Sequence, residues 1–139
     1  MIRETHSVEE TEQLASELAQ DLRGGECLCL SGELGAGKTQ FVRGLVRGLG
    51  GAARTVSSPT FVLLNVYDSG RLTVFHVDAY RLRSDDEAGF SITELLQQGG
   101  VVVVEWPERI ASQLPEARIS VAMAPIGIQS RRVDIRAGD

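Results

Sequence analysis

Gly32, Gly37, Lys38 and Thr39 occupy the fixed positions of the pattern G-x-x-x-x-G-K-[ST] in the run Gly32-Glu33-Leu34-Gly35-Ala36-Gly37-Lys38-Thr39. Each residue type has a physical reason for its place. Glycines let successive backbone N–H groups close around phosphate oxygens, and the helix that follows presents its positive end to them. A lysine at position 38 neutralises β- and γ-phosphates, while a hydroxyl at position 39 suits a Mg²⁺ ion that keeps several waters. The spacing predicts a nucleoside triphosphate site. Lys38 is the chain's one lysine, the other 13 of its 14 basic residues being arginine. Arginine bias accounts for that scarcity, but an ordinary glycine-rich turn has no need of Lys-Thr at this spacing.

Two acids are placed to complete such a site. Ligands of open α/β sheets gather at the carboxyl ends of the strands, and phosphate-loop enzymes hold their metal with an acid there. Glu105 directly follows four valines, Val101 to Val104, and Asp78 ends the strand-like run His76-Val77-Asp78. Period-two alternation puts His76 and Asp78 on one side of that strand and Phe75 and Val77 on the other. Asp78 can bind the metal through water or orient the attacking water. The division of labour between Asp78 and Glu105 stays open at this level, and His76 reads as structural. Ser57-Ser58-Pro59-Thr60 lies where related nucleotide hydrolases place a loop that senses the γ-phosphate, with Thr60 as the sensor candidate. A Pro turn with local hydroxyl bonding is the competing reading.

The elements that must position these residues follow from periodicity and punctuation. Ser7 and Glu10 form a capping box ahead of Leu14, Leu18 and Leu22 at helical spacing, with Arg23-Gly24-Gly25 ending the helix. Cys27–Leu30 is a short apolar strand that runs into the phosphate loop. Phe41, Leu45 and Leu49 stripe one face of the next helix, which Gly50-Gly51 closes. Phe61–Tyr67 and Leu72–Val77 are β-rich runs around Asp68-Ser69-Gly70-Arg71, which predicts a hairpin and some antiparallel pairing. An acidic helical stretch is expected from about Ser84 to Gln98. Val101–Val104 has the uninterrupted β-branched character of a central strand covered on both faces. A short helix after Pro107 and two strands, near Arg118–Met123 and Arg132–Arg136, complete the chain.

With 139 residues, 42% of them hydrophobic, and no break in composition, a single domain over 1–139 is expected. The apolar runs are far too short for a membrane span, and the N-terminal residues are acidic where a signal peptide is basic and apolar, so a cytoplasmic protein with no membrane partner is expected. The formal charge is −5 and the largest basic cluster is Arg131-Arg132, which lacks the electrostatic footprint of tight polynucleotide binding; any link to RNA is expected to be indirect. Cys27 and Cys29 share one strand face, and two cysteines alone complete no metal site, so they read as buried reduced thiols.

Taken together, Gly32–Gly50, Val56–Phe61 (VSSPTF), His76–Leu82 (HVDAYRL) and Val104–Arg109 (VEWPER) resemble the TsaE (YjeE) family, the small bacterial ATPases needed to make threonylcarbamoyladenosine in tRNA. The segments come in the family's order and cover nearly the whole chain, and the joint occurrence of SPTF, HxDxYRL and EWPE is far more specific than the phosphate loop. The resemblance implies a phosphate-loop NTPase-like α/β three-layer sandwich with a central parallel sheet and flanking antiparallel strands. It implies ATP held by Gly35–Thr39, within a contacting set that takes in Gly32, Glu33, Leu34 and Gln40. It further implies Mg²⁺ near Thr39 and Glu105, Asp78 essential for hydrolysis, Thr60 in a switch-like loop, and Trp106 beside the nucleotide. Arg131 or Arg132 stands where relatives carry a basic residue that approaches ATP. The implied partners are TsaB and TsaD, the pair that transfers the threonylcarbamoyl group to A37 of tRNAs reading codons that begin with A, with ATP binding and hydrolysis resetting their complex. Ser84–Leu96 departs from the family in lacking its Asp-Pro-Glu-Glu type of acidic sequence. A small-molecule phosphate-loop kinase is the alternative, but no arginine-rich lid is evident. A guanine-specific switch is excluded, since the N-K-x-D motif needs a second lysine.

Overall fold

Four successive valines can all be buried only where both faces of a strand are covered, and the computed structural model places Val101–Glu105 (β5) at the heart of a seven-stranded sheet. The structure describes residues 1–33, 35–57, 63–82 and 89–138. Strands β1 (Ile2–Thr5), β2 (Cys27–Ser31), β3 (Leu64–Tyr67), β4 (Val74–Asp78), β5, β6 (Ile119–Pro125) and β7 (Arg131–Ala137) lie in the order β1-β7-β6-β2-β5-β4-β3. The central run β6-β2-β5-β4 is parallel, whereas β3 pairs with β4, β7 with β6 and β1 with β7 in antiparallel fashion. This is the expected parallel sheet with antiparallel flanks, in a three-layer α/β fold.

Alternation along the strands sorts the core into two halves. Leu28, Leu30, Val74, Val101 and Val103 face the layer formed by α1 (Val8–Ala19) and α2 (Lys38–Gly48). Cys27, Cys29, Phe75, Val77, Val102 and Val104 face the layer of α3 (Ile92–Gln97) and the 3₁₀ segment Pro107–Gln113. His76, Asp78 and Glu105 fall, by the same period of two, on the α1/α2 side. The glycine loop between β2 and α2 opens onto that side, so the strand alternation delivers the acids to it.

Helices α1 and α2 pack unusually closely, because two glycines one turn apart replace side chains at the crossing. A Cβ on Gly44 would lie 2.1 Å from the Glu12 carbonyl oxygen, and one on Gly48 would lie 2.6 Å from that of Ser16. At its end α2 closes in a Schellman motif: the Gly50 N–H donates to Arg47 O (2.9 Å) and the Gly51 N–H to Val46 O (2.9 Å), with Gly50 at φ 83°.

Several elements differ from expectation. The Ser7 hydroxyl accepts from the Glu10 N–H (3.1 Å) as a cap should, but the Glu10 carboxylate reaches back to the His6 N–H (3.2 Å), one residue beyond the cap. Helix α1 ends at Ala19, and Leu22 reaches the core from the turn that follows. Helix α3 starts at Ile92, capped by Ser91, while the start expected near Ser84 lies outside the described residues, as does the start of the first hairpin strand at Phe61. The segment after Pro107 is a 3₁₀ helix kinked at Ile110. Strand β1 was not expected at all, since Ile2-Arg3-Glu4-Thr5 has no apolar alternation; backbone pairing to its one neighbour, β7, holds it in place at the edge of the sheet. Among the described residues no helix is long and apolar enough to cross a membrane.

Candidate functional site

The loop between β2 and α2 is shaped by its glycines. Gly32, Gly35 and Gly37 sit at φ 151°, 83° and 97°, conformations that side chains strain. A Cβ on Gly32 would meet the Met123 carbonyl oxygen at 2.6 Å, whereas one on Gly35 would meet nothing within 4 Å, leaving that face of the loop open. Gly37 caps α2 with no side-chain bond, so the helix's first N–H groups stay available to an anion. The open face belongs to a cavity of about 390 Å³ lined by Gly35, Gly37, Lys38, Thr39, Gln40 and Glu105. Val8, Thr11, Arg43, Ile128, Gln129 and Arg131 line it as well.

Lys38 is buried and held in place. Its Nζ donates to the Gly32 carbonyl at 2.7 Å, lies 3.8 Å from Glu105 Oε1, and stands 4.5 Å from the centroid of the Trp106 ring. A lone buried ammonium is costly, and carbonyl, carboxylate and ring face together offset that cost. Trp106 is the sole non-glycine residue at positive φ (58°) among those described, and it lies between Glu105 and Pro107. Backbone strain of this kind persists where the surroundings fix it. Here the ring is fixed by Lys38 on one side and by Tyr80 on the other, tilted at 54° with centroids 4.9 Å apart.

Asp78 and Glu105 are register partners on β4 and β5. Burial pushes the Asp78 carboxyl up from the ordinary range; the Tyr80 N–H, which donates to Oδ1 at 2.9 Å, opposes this, and the nearby Glu105 charge reinforces it. Glu105 Oε2 accepts from His76 Nε2 at 2.5 Å. Among the described residues no cluster of three or more His, Cys, Asp or Glu forms a cage for a metal. A cage is not what Mg²⁺ needs in this setting: it takes one or two carboxylates, phosphate oxygens and waters in an octahedron. Thr39 on the cavity wall, with Glu105 and Asp78 at the strand ends, fits that donor set.

Arg131 contacts the loop itself. Its Nε donates to Ala36 O at 2.9 Å and its Nη2 to Gly35 O at 3.0 Å, while Nη1 donates to the Ser130 carbonyl at 2.8 Å. It therefore clamps the glycine loop to the β6–β7 turn while lining the cavity; Arg132 does not line it. Leu34 and Thr60 lie outside the described residues. Sequence reasoning missed Val8, Thr11, Arg43, Ile128 and Gln129 as cavity residues. Arg43 carried a signal, being four residues after Thr39 and so on its helix face. The others come from segments remote in sequence and had none.

Cys27 and Cys29 are buried free thiols on the opposite sheet face, away from this cavity.

The model of the family described as threonylcarbamoyl adenosine biosynthesis protein TsaE matches residues 5–133. The tRNA threonylcarbamoyladenosine biosynthesis protein TsaE of Bacillus subtilis is 37% identical over 133 residues, covering 96% of this chain and 83% of that protein. Its counterpart in Treponema pallidum is 39% identical over 132 residues, covering 94% of this chain and 96% of that protein. The crystal structure of Bacillus subtilis YdiB superposes with a TM-score of 0.80 at 32% identity, over 100% of this chain and 86% of that one.

Proposed function

Since the chain belongs to the TsaE family, we propose that it is a Mg²⁺-dependent ATPase serving threonylcarbamoyladenosine formation at A37 of tRNA. The observation that carries this reading is Lys38: a buried ammonium between the Gly32 carbonyl and Glu105, at the wall of a cavity into which an open glycine loop and a helix N-terminus also face. A triphosphate is the ligand chemistry that uses all three.

In this reading the N–H groups of Gly35–Thr39 receive the phosphates, and Lys38 moves from the Gly32 carbonyl to their oxygens. Thr39 and Glu105 would hold Mg²⁺, which would supply neutralisation of phosphate charge. Asp78, beside Glu105, receives or orients the proton of the attacking water. Trp106 backs the Lys38 side of the site, Arg131 keeps the loop in shape, and Thr60 reads the γ-phosphate. Adenine is the base that membership of the family suggests, and a chain with one lysine, already committed at position 38, has no N-K-x-D motif for guanine.

The partners are TsaB and TsaD, whose complex is reset by ATP binding and hydrolysis, and tRNA is engaged only through them. A formal charge of −5 with no large basic cluster supports this indirect role. Hydrolysis by the isolated chain is slow, since catalytic groups can be completed by a partner. Measuring phosphate release with and without purified TsaB–TsaD tests this. Acceleration by the pair is expected; unchanged release, or phosphate appearing on a small metabolite as a kinase would place it, would overturn it.

A further inference from the structure

Glu105 is the acid assigned above to Mg²⁺, and its carboxylate stands between Lys38 and His76. Oε1 faces Lys38 Nζ at 3.8 Å and Oε2 accepts from His76 Nε2 at 2.5 Å. Without the second contact, the carboxylate would be free to turn fully onto the lysine, which would withdraw it from a metal and the lysine from phosphate. His76 is completely buried, and its other ring nitrogen is also engaged: Nδ1 lies 3.1 Å from the Tyr67 hydroxyl. That hydroxyl is anchored in turn on the backbone of Ser57, 3.1 Å from its carbonyl oxygen and 3.3 Å from its N–H.

The sheet makes this chain of contacts possible. His76 pairs with Asn65 on β3 and with Val103 on β5, so Tyr67 and Glu105 are its diagonal neighbours, each two residues along on the same face. Diagonal positions lie within reach of aromatic and long side chains. The imidazole spans the gap with one nitrogen toward each. Both nitrogens are used, and no buried side-chain N or O among the described residues lacks a partner.

We propose that His76 is a positioning residue for Glu105, and that with Tyr67 it forms a buried strut from Ser57, the residue leading into Ser58-Pro59-Thr60, to the metal-side carboxylate. This rests on the Mg-ATP reading above. A partner that orients a metal ligand is worth about tenfold or more in metal affinity. The effect should therefore appear in the Mg²⁺ requirement and leave the phosphate loop's own grip on nucleotide largely intact.

The test uses the intact chain and a ribose-labelled fluorescent ATP, read by energy transfer from Trp106, the one tryptophan. His76→Asn keeps an amide near Nδ1 but none near Nε2, whereas His76→Gln reaches the Nε2 position. His76→Asn should raise the Mg²⁺ concentration for half-saturation about tenfold, with metal-free nucleotide affinity within about threefold of wild type, and His76→Gln should restore most of the loss. Tyr67→Phe, which cuts the strut behind the histidine, should raise the Mg²⁺ requirement about threefold. It remains informative if the His76 variants fail to fold. Wild-type Mg²⁺ dependence in folded His76→Asn, or in Tyr67→Phe, would overturn the strut while leaving the ATP site standing. Absence of Mg²⁺-dependent binding in wild type would overturn the ATP reading itself.

Discussion

Lys38 and Glu105 face each other across 3.8 Å, each side chain only 6% exposed. The lysine's closest contact is the Gly32 carbonyl, at 2.7 Å. Hydrogen bonds to charged groups contribute about 1.5–3 kcal/mol each, so Lys38→Ala should weaken ATP binding by about tenfold to a hundredfold. Titration with labelled ATP checks this, and wild-type affinity in the variant would remove Lys38 from the phosphate site.

Asp78 has the opposite profile. Its burial-raised carboxyl binds a proton more readily in the fold than in the unfolded chain. The stability this group contributes is therefore greatest in acid and falls as pH rises from the usual value of about 3.9 through the higher folded-state value. At neutral pH the charge weighs against the metal-free fold. Asp78→Asn, which can still accept the Tyr80 N–H, should raise the thermal midpoint at pH 7, and the two proteins should converge in acid. The same variant should bind ATP within about threefold of wild type yet turn over about a hundredfold more slowly. A lowered midpoint at pH 7, or an equal loss of binding and turnover, would refute this division between stability and catalysis.

The glycine crossing of α1 and α2 predicts a cost unrelated to chemistry. A methyl on Gly44 meets the Glu12 backbone at 2.1 Å, a clash that no rotamer relieves. Gly44→Ala should destabilise the fold by about 2–3 kcal/mol or more, measured by urea denaturation. A neutral or stabilising result, as for an exposed helical glycine, would mean that the helices do not cross there.

Cys27 and Cys29 should be chemically quiet. Their contact pushes the Cys27 thiol up, with burial, and pulls the Cys29 thiol down, so it is burial, at 1% and 5% exposure, that keeps reagent from both. A thiol-reactive dye should label neither in the native protein and both after denaturation. Rapid native labelling of either would contradict their core assignment.

Much of this site was legible because its parts obey local rules. The strand-loop-helix order around Lys38 follows from apolar runs and glycine punctuation, and the shared side of His76 and Asp78 follows from period two along one strand. The parallel sheet with antiparallel flanks follows from a central valine run and a hairpin. What escaped depends on register between strands. His76 read as structural because nothing along the chain says that Glu105 is its diagonal neighbour on β5 or Tyr67 on β3. Arg131, expected from the resemblance to approach nucleotide, lines the cavity, but its grip on the Gly35 and Ala36 carbonyls is a contact across almost the whole chain. Strand β1 is set by pairing to β7 and has almost no apolar signature of its own. The segment after Pro107 is 3₁₀ and breaks at the buried Ile110, a departure from a regular helix that no local signal in the sequence marks.

Mg-ATP binding at the glycine loop underlies every role given to these residues, and titration calorimetry of the purified chain measures it most directly. One ATP should bind per chain, more tightly with Mg²⁺ than without, with GTP far weaker and the binding heat lost in Lys38→Ala. No binding of ATP, or equal heats in wild type and Lys38→Ala, would contradict it.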